Sequence, residues 1–397
     1  MTHADLLAPP AHDPTPGWGQ SLSTGAAGIM LLYIEYARVG FGGWDTVQKW
    51  AAAMTRGPIA AHPDACGLYR GAPAIAFAFR AAEWPAFTAA LVTLDSHIAT
   101  LTRHRLERAH ERIDRGQLPR LREFDLVSGL TGLGAYLLHQ HGADELLRAV
   151  LCYLVCLVDP LTVDGETLPG WWTDNGPDDQ PSPHWSGGHG NLGMAHGIAG
   201  PLALLAIAMR RGITVAGHSE AIEGICDWLD RWRCGNRSRI WWPGMISRNE
   251  WQARAVQQPG PQRPSWCYGT PGLARAQQLA ALAMADPRRK RDAEAALATC
   301  ITEDMQLSQL RDASLCHGWA GLVQTTWRAA ADAGTDSELA TLLPHLRARL
   351  EQYLHYYGPP AHDGLLEGTA GINLARHSTS SNRPPVSHWD SCMLLDG

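Results

Sequence analysis

Cys267, Cys316 and His317 are the residues of this chain whose types and placement point most directly to chemistry. Cys267 stands in the stretch SWCYGTPG and Cys316 in SLCHGWAG, so each cysteine lies two places before a Gly-x-x-Gly. A zinc site that performs chemistry typically takes three protein ligands and keeps a fourth position open. Two thiolates and a neutral imidazole leave such a site formally uncharged. An external thiol bound there readily loses its proton, so the chemistry suggested is thiol activation rather than hydrolysis. The plain reading also stands. Buried free cysteines are common packing residues, and a single histidine before a glycine often has only a structural task.

What favours the metal is a repeat. Gly-x-x-Gly followed by an apolar, helix-like run recurs seven times, with first glycines Gly25, Gly71, Gly129, Gly197, Gly269, Gly318 and Gly368. In the second unit Ala74 replaces the second glycine. Each unit is long enough for two helices and a loop, and amphipathic stretches such as DELLRAVLCYLVCLV lie between the motifs. Glycine pairs let the backbone turn sharply and let helices approach closely. The expected fold is all-α: an α/α barrel, or toroid, of seven helical hairpins with a Gly-x-x-Gly at each inner-helix start. It would form one domain over residues 1–397, with units starting near 21, 67, 125, 193, 265, 314 and 364. An open solenoid of helix pairs is the alternative. Aligned on the first glycine, the preceding residues are Thr24, Arg70, Ser128, His196, Tyr268, His317 and Glu367. In a closed barrel they face one mouth.

Composition narrows the function. The formal net charge is −6 with no long basic run, which does not favour nucleic acid. No apolar run approaches the roughly twenty residues of a membrane helix, and the N-terminus does not read as a signal peptide. A soluble, cytoplasmic protein is expected. Nine cysteines do not suggest a disulfide framework. Cys66 with His62 nearby is a second pairing of metal-binding types, whereas Cys152, Cys156, Cys226, Cys234 and Cys300 fall in helical contexts and read as core.

The set SWCYGTPG, LCHGWAG, MAHGIAG and FDLVSGLTG on seven such units resembles the lanthionine synthetase C-like family, the lanthipeptide cyclases. The resemblance runs from about residue 15 to the end. It implies one Zn2+ per chain on Cys267, Cys316 and His317, and active-site roles for His196, Asp125, Tyr268 and Arg263. The implied reaction is Michael-type addition of a peptide cysteine thiol to dehydroalanine or dehydrobutyrine, giving a lanthionine or methyllanthionine thioether. The zinc makes the thiolate, and His196 is the natural acid for the resulting enolate. Asp125 would orient that imidazole, and Tyr268 or Arg263 would stabilise the enolate oxygen. Against these stand a helix cap for Asp125, a packing role for Tyr268 and a surface charge for Arg263. The implied partners are a dehydrated precursor peptide with its leader and a lanthipeptide dehydratase, with a membrane-associated biosynthetic complex as one setting. Glutathione addition to dehydrated residues, a prenyltransferase-like subunit and a peptide-binding scaffold with structural zinc are the competing functions.

Two stretches, 160–192 and 234–265, interrupt the repeat and precede His196 and Cys267. Loops there would overhang the mouth. Trp171, Trp172, Trp185, Trp241 and Trp242 would either line a peptide entry or plug the loops. The charged segment 103–123 reads as a solvated helix face or a contact for an acidic leader.

Overall fold

The computed structural model describes residues 8–236, 239–381 and 383–397. Seven helices start at the repeated motifs: Ala26–Arg38, Ala72–Ala82, Leu130–Leu137, Ala199–Arg210, Thr270–Ala283, Trp319–Ala333 and Thr369–Ser381. Each packs against the next, and the last packs against the first. These inner helices are buried on most sides; every residue from Ala199 to Ala208 is buried. The helices that follow the first six are Trp44–Met54, Thr88–Asp114, Asp144–Cys156, His218–Arg231, Pro287–Thr302 and Glu338–Tyr357. These are one-sided: Glu338–Tyr357 buries only Leu339, Leu346 and Leu350. A helix covered on all sides and a helix with one apolar stripe are what an inner and an outer ring require.

Hydrogen bonds at the mouth close the ring and exclude the solenoid. Each runs between the segments that lie two or three places before the first glycine of adjacent units. The N–H of Leu22 donates to Tyr69, Tyr69 to Val127, Leu126 to Ala195, Met194 to Cys267, Cys267 to Cys316, Cys316 to Leu366, and Leu366 back to Ser23. The distances lie between 2.8 Å (Met194) and 3.4 Å (Tyr69). The second glycine of the motif makes this closeness affordable. A Cβ at Gly132 would lie 2.1 Å from the Leu126 carbonyl oxygen and 2.9 Å from the Leu68 side chain of the neighbouring unit. In the second unit, where Ala74 occupies that place, the turn is built differently: Gly71 adopts φ +77°.

Among the described residues no outer helix follows the seventh inner one. The chain instead turns into the bore and fills it. Tyr69 Oη donates to the Cys392 carbonyl at 2.9 Å, and Trp266 Nε1 to that of Met393 at 3.0 Å. Arg328 Nη2 holds Asp390 at 2.6 Å. Trp389, Cys392, Met393 and Leu395 are fully buried. This tail forms a floor beneath the mouth.

The interrupting loops meet in a short antiparallel pair, His189–Asn191 with Met245–Ser247. Of the five tryptophans, Trp171, Trp172 and Trp242 are buried. Trp172 Nε1 donates to the Gly187 carbonyl and Trp242 Nε1 to that of Leu229, so these rings plug and brace the loops. The charged 103–123 segment is not wholly a solvated face. Arg105 turns inward onto the carbonyls of Pro63, Cys66 and Ser128.

Candidate active site

Cys267 and Cys316 occupy the same place in neighbouring units, and the bond from Cys267 N–H to the Cys316 carbonyl, 3.3 Å, sets the two segments side by side. The sulfurs and one His317 ring nitrogen lie within 4.8 Å of one another. Cys66 and His62 belong to no such group among the described residues. His317 Nε2 lies 3.3 Å from Asp312 Oδ2, the kind of carboxylate contact that commonly orients a metal-binding imidazole. Hydrogen bonding from Cys316, against the cost of burial and with help from His317, holds the Cys267 thiol well below its ordinary range. The same pairing, together with burial, drives Cys316 up. Asp312 and then Cys267 raise His317 to about 9. Two sulfurs and an imidazole nitrogen converge at one place, a donor set that fits a zinc ion.

His196 Nδ1 lies 2.6 Å from Asp125 Oδ2. Asp125 Oδ1 accepts from the N–H groups of Ser128 and Gly129, both at 2.7 Å. One oxygen therefore holds the turn that leads into the helix Leu130–Leu137, and the other grips the histidine. The carboxyl is 2% exposed while His196 is 36% exposed, so the imidazole points its free edge into the mouth. Burial opposes charge on His196, but the hydrogen bond and charge of Asp125 outweigh it and raise its pKa.

The Tyr268 ring lies nearly parallel to His196, with centroids 6.3 Å apart. Burial raises its hydroxyl pKa, which keeps the group a donor. Asn191 fixes where that proton goes. Its Oδ1 accepts from the Gly193 N–H at 3.0 Å, so its Nδ2 must face outward, and it donates to Tyr268 Oη at 3.3 Å. Tyr268 Oη is thus an acceptor on that side, and its own hydrogen is left for the site. Arg263 is half-buried, and its charge acts on both Cys316 and His317.

The structure thus gathers Cys267, Cys316, His317, His196, Asp125 and Tyr268, with Arg263 at the edge of the candidate metal-binding triad. Sequence reading missed Asn191 and Asp312. A signal was available, because Asn191, Arg263 and Asp312 each lie six places before the first glycine of their units. They explain that glycine too: a Cβ at Gly197 would meet Asn191 Oδ1 at 2.4 Å, and one at Gly318 would meet Asp312 Oδ1 at 2.3 Å.

A family model described as lanthionine synthetase C-like protein matches residues 16–394. The nisin biosynthesis protein NisC of Lactococcus lactis subsp. lactis is 23% identical over 278 residues, or 69% of this chain and 64% of that protein. The chain thus aligns with slightly less than two thirds of that relative's length. A solved structure of nisin cyclase superposes with a TM-score of 0.81 at 21% identity, covering 96% of this chain and 93% of that one. The barrel is therefore a shared fold.

Proposed function

The chain belongs to the lanthionine synthetase C-like family, and from that premise we propose that it is a single-domain zinc-dependent lanthipeptide cyclase. The observation that carries the reading is the juxtaposition of the thiol-imidazole triad with the His196–Asp125 pair, joined through Tyr268, the residue next to Cys267. When bound by Cys267, Cys316 and His317, zinc supplies a lowered pKa for a substrate thiol. The new C–S bond forms at the β-carbon of a dehydroalanine or dehydrobutyrine, and the alkene electrons pass to the carbonyl oxygen. Tyr268 donates its free hydrogen to that oxygen, with Arg263 adding positive charge nearby. His196, kept protonated by Asp125, delivers a proton from Nε2 to the α-carbon. One proton leaves the thiol and one reaches carbon, so the peptide mass is unchanged.

The natural substrate on this reading is a precursor peptide dehydrated by a separate dehydratase in the cytoplasm, with a membrane-associated complex as one setting. No described helix is long and apolar enough to cross a membrane. Incubation with a dehydrated precursor tests the function: free thiol should disappear without a change in mass. Adducts formed only with added glutathione would favour the glutathione-transfer reading, and no consumption of thiol would leave a peptide-binding scaffold.

Two further results are expected. Because Asp125 raises the His196 pKa, the proton donor persists to higher pH than an ordinary histidine allows. Activity that needs this proton is lost as pH rises through that raised value. Asp125→Asn removes the negative charge, so the alkaline limb of kcat/KM should move to lower pH; an unmoved limb would detach Asp125 from the acid. Asn191→Asp keeps an acceptor for the Gly193 N–H but turns the group facing Tyr268 into an acceptor, which draws the tyrosine proton away from substrate. A fall in kcat on the order of tenfold is expected. In a Tyr268→Phe background the same change should cost almost nothing more, whereas equal losses in both backgrounds would mean that Asn191 does not act through Tyr268.

A further inference from the structure

A cavity of about 790 Å³ opens beside His196 and Asp125 and runs over the first three units. Its volume falls in the range of small-molecule sites. Its walls come from the Ser21–Thr24 region, the Gly67–Arg70 turn, Ser128 and the loop at 177–179. None of Cys267, Cys316 and His317 lines it. If the cyclase reading holds, the substrate thiol lies on one side of His196 and this cavity on the other. The cavity would then receive the part of the peptide that carries the alkene.

Most charged side chains of the cavity are already engaged. Asp125 is paired with His196, Asp179 with Arg122 at 2.5 Å and Asp64 with Arg108 at 2.5 Å. Asp178 Oδ1 accepts the Gln180 N–H at 3.2 Å, and Asp178 has no cationic partner among the described residues. Two guanidiniums, Arg70 and Arg105, have no carboxylate partner among the described residues. Arg105 is committed to main-chain carbonyls. The Arg70 side chain makes no hydrogen bond or ion pair with the described protein, although its backbone is fixed. Its N–H donates to the Gly67 carbonyl at 2.9 Å, its carbonyl accepts from the Gly67 N–H at 3.2 Å, and it bridges to Ser21. An exposed, always-charged fork on a fixed backbone, sharing the cavity with Ser21, Ser23 and Thr24, suits one chemistry well, a carboxylate held by paired N–H···O bonds.

We propose that this cavity is a carboxylate subsite, in which Arg70 receives an acidic group of the substrate peptide from the segment that carries the dehydrated residue. It makes the enzyme selective for acidic sequence context, and it rests on the cyclase reading above.

The test uses the zinc-loaded full chain and a set of fluorescent peptides. Each contains one cysteine and one dehydroalanine, with Glu or Gln one to four residues from the dehydroalanine on the side away from the cysteine. All are C-terminal amides, and a parallel set ends in a free acid. Binding is read by anisotropy and cyclisation by loss of free thiol. At one placement the Glu peptide should bind about tenfold more tightly than its Gln twin, as for one charge-assisted pair. Arg70→Gln should collapse that ratio to near one, and Arg70→Glu should invert it. A preference confined to the free-acid set would assign the subsite to a chain terminus instead of a side chain. Equal binding of Glu, Gln, free-acid and amide peptides by the wild type, or a Glu preference that survives Arg70→Gln, would overturn the subsite. Carboxylate-selective binding without cyclisation of any peptide would instead count against the cyclase reading.

Discussion

Cys316→Ala is expected to fold and to purify almost free of zinc. The ring of hydrogen bonds at the mouth uses the backbone of residue 316: its N–H donates to Leu366 and its carbonyl accepts from Cys267. Neither bond needs the side chain, and Cys316 is only half-buried, so truncation opens little space in the core. The loss falls on the metal. Small structural zinc sites hold the ion by about 10–16 kcal/mol shared over four ligands, or about 3 kcal/mol each, so affinity should drop on the order of a hundredfold or more. Metal analysis after dialysis checks this against the wild type. Full zinc in the variant would remove Cys316 from the site.

His196→Ala is expected to separate proton transfer from metal binding: zinc is retained while cyclisation of the dehydrated peptide slows on the order of a hundredfold or more, as for loss of a general acid. The geometry supports the separation, since His196 is anchored to Asp125 rather than to the triad. Removing the imidazole does strand a carboxylate that is 2% exposed, at a cost of about 1–3 kcal/mol. His196→Gln is therefore the companion variant, because it preserves a donor for Asp125 but cannot deliver the proton. Both should slow alike, with uncatalysed rings of mixed stereochemistry in the product. Zinc lost with His196→Gln would move this residue into the coordination set. Normal rate and ring stereochemistry would pass the proton donor's role to Tyr268.

The sequence by itself determined the repeat and, through it, which residues make up the candidate site. Seven units place the same position at the same mouth, so aligning their glycines brings Cys267, Cys316, His317, His196 and Tyr268 into register without coordinates. Extending that alignment to six places before the glycine would have added Asn191 and Asp312. Other features lay beyond any such alignment, because they depend on distant groups meeting in space. His196 and Asp125 are 71 residues apart, and Tyr69 and Cys392 are 323 apart. The two duties of Asp125, the orientation of the Asn191 amide and the unpaired guanidinium of Arg70 each depend on which partner stands within about 3 Å, the reach of a hydrogen bond. The buried segment 389–396 is the clearest case. Local periodicity reports which face of a helix is apolar; it does not report what fills a closed ring, and only the tertiary structure decided that the chain's own C-terminal segment becomes the floor beneath the site.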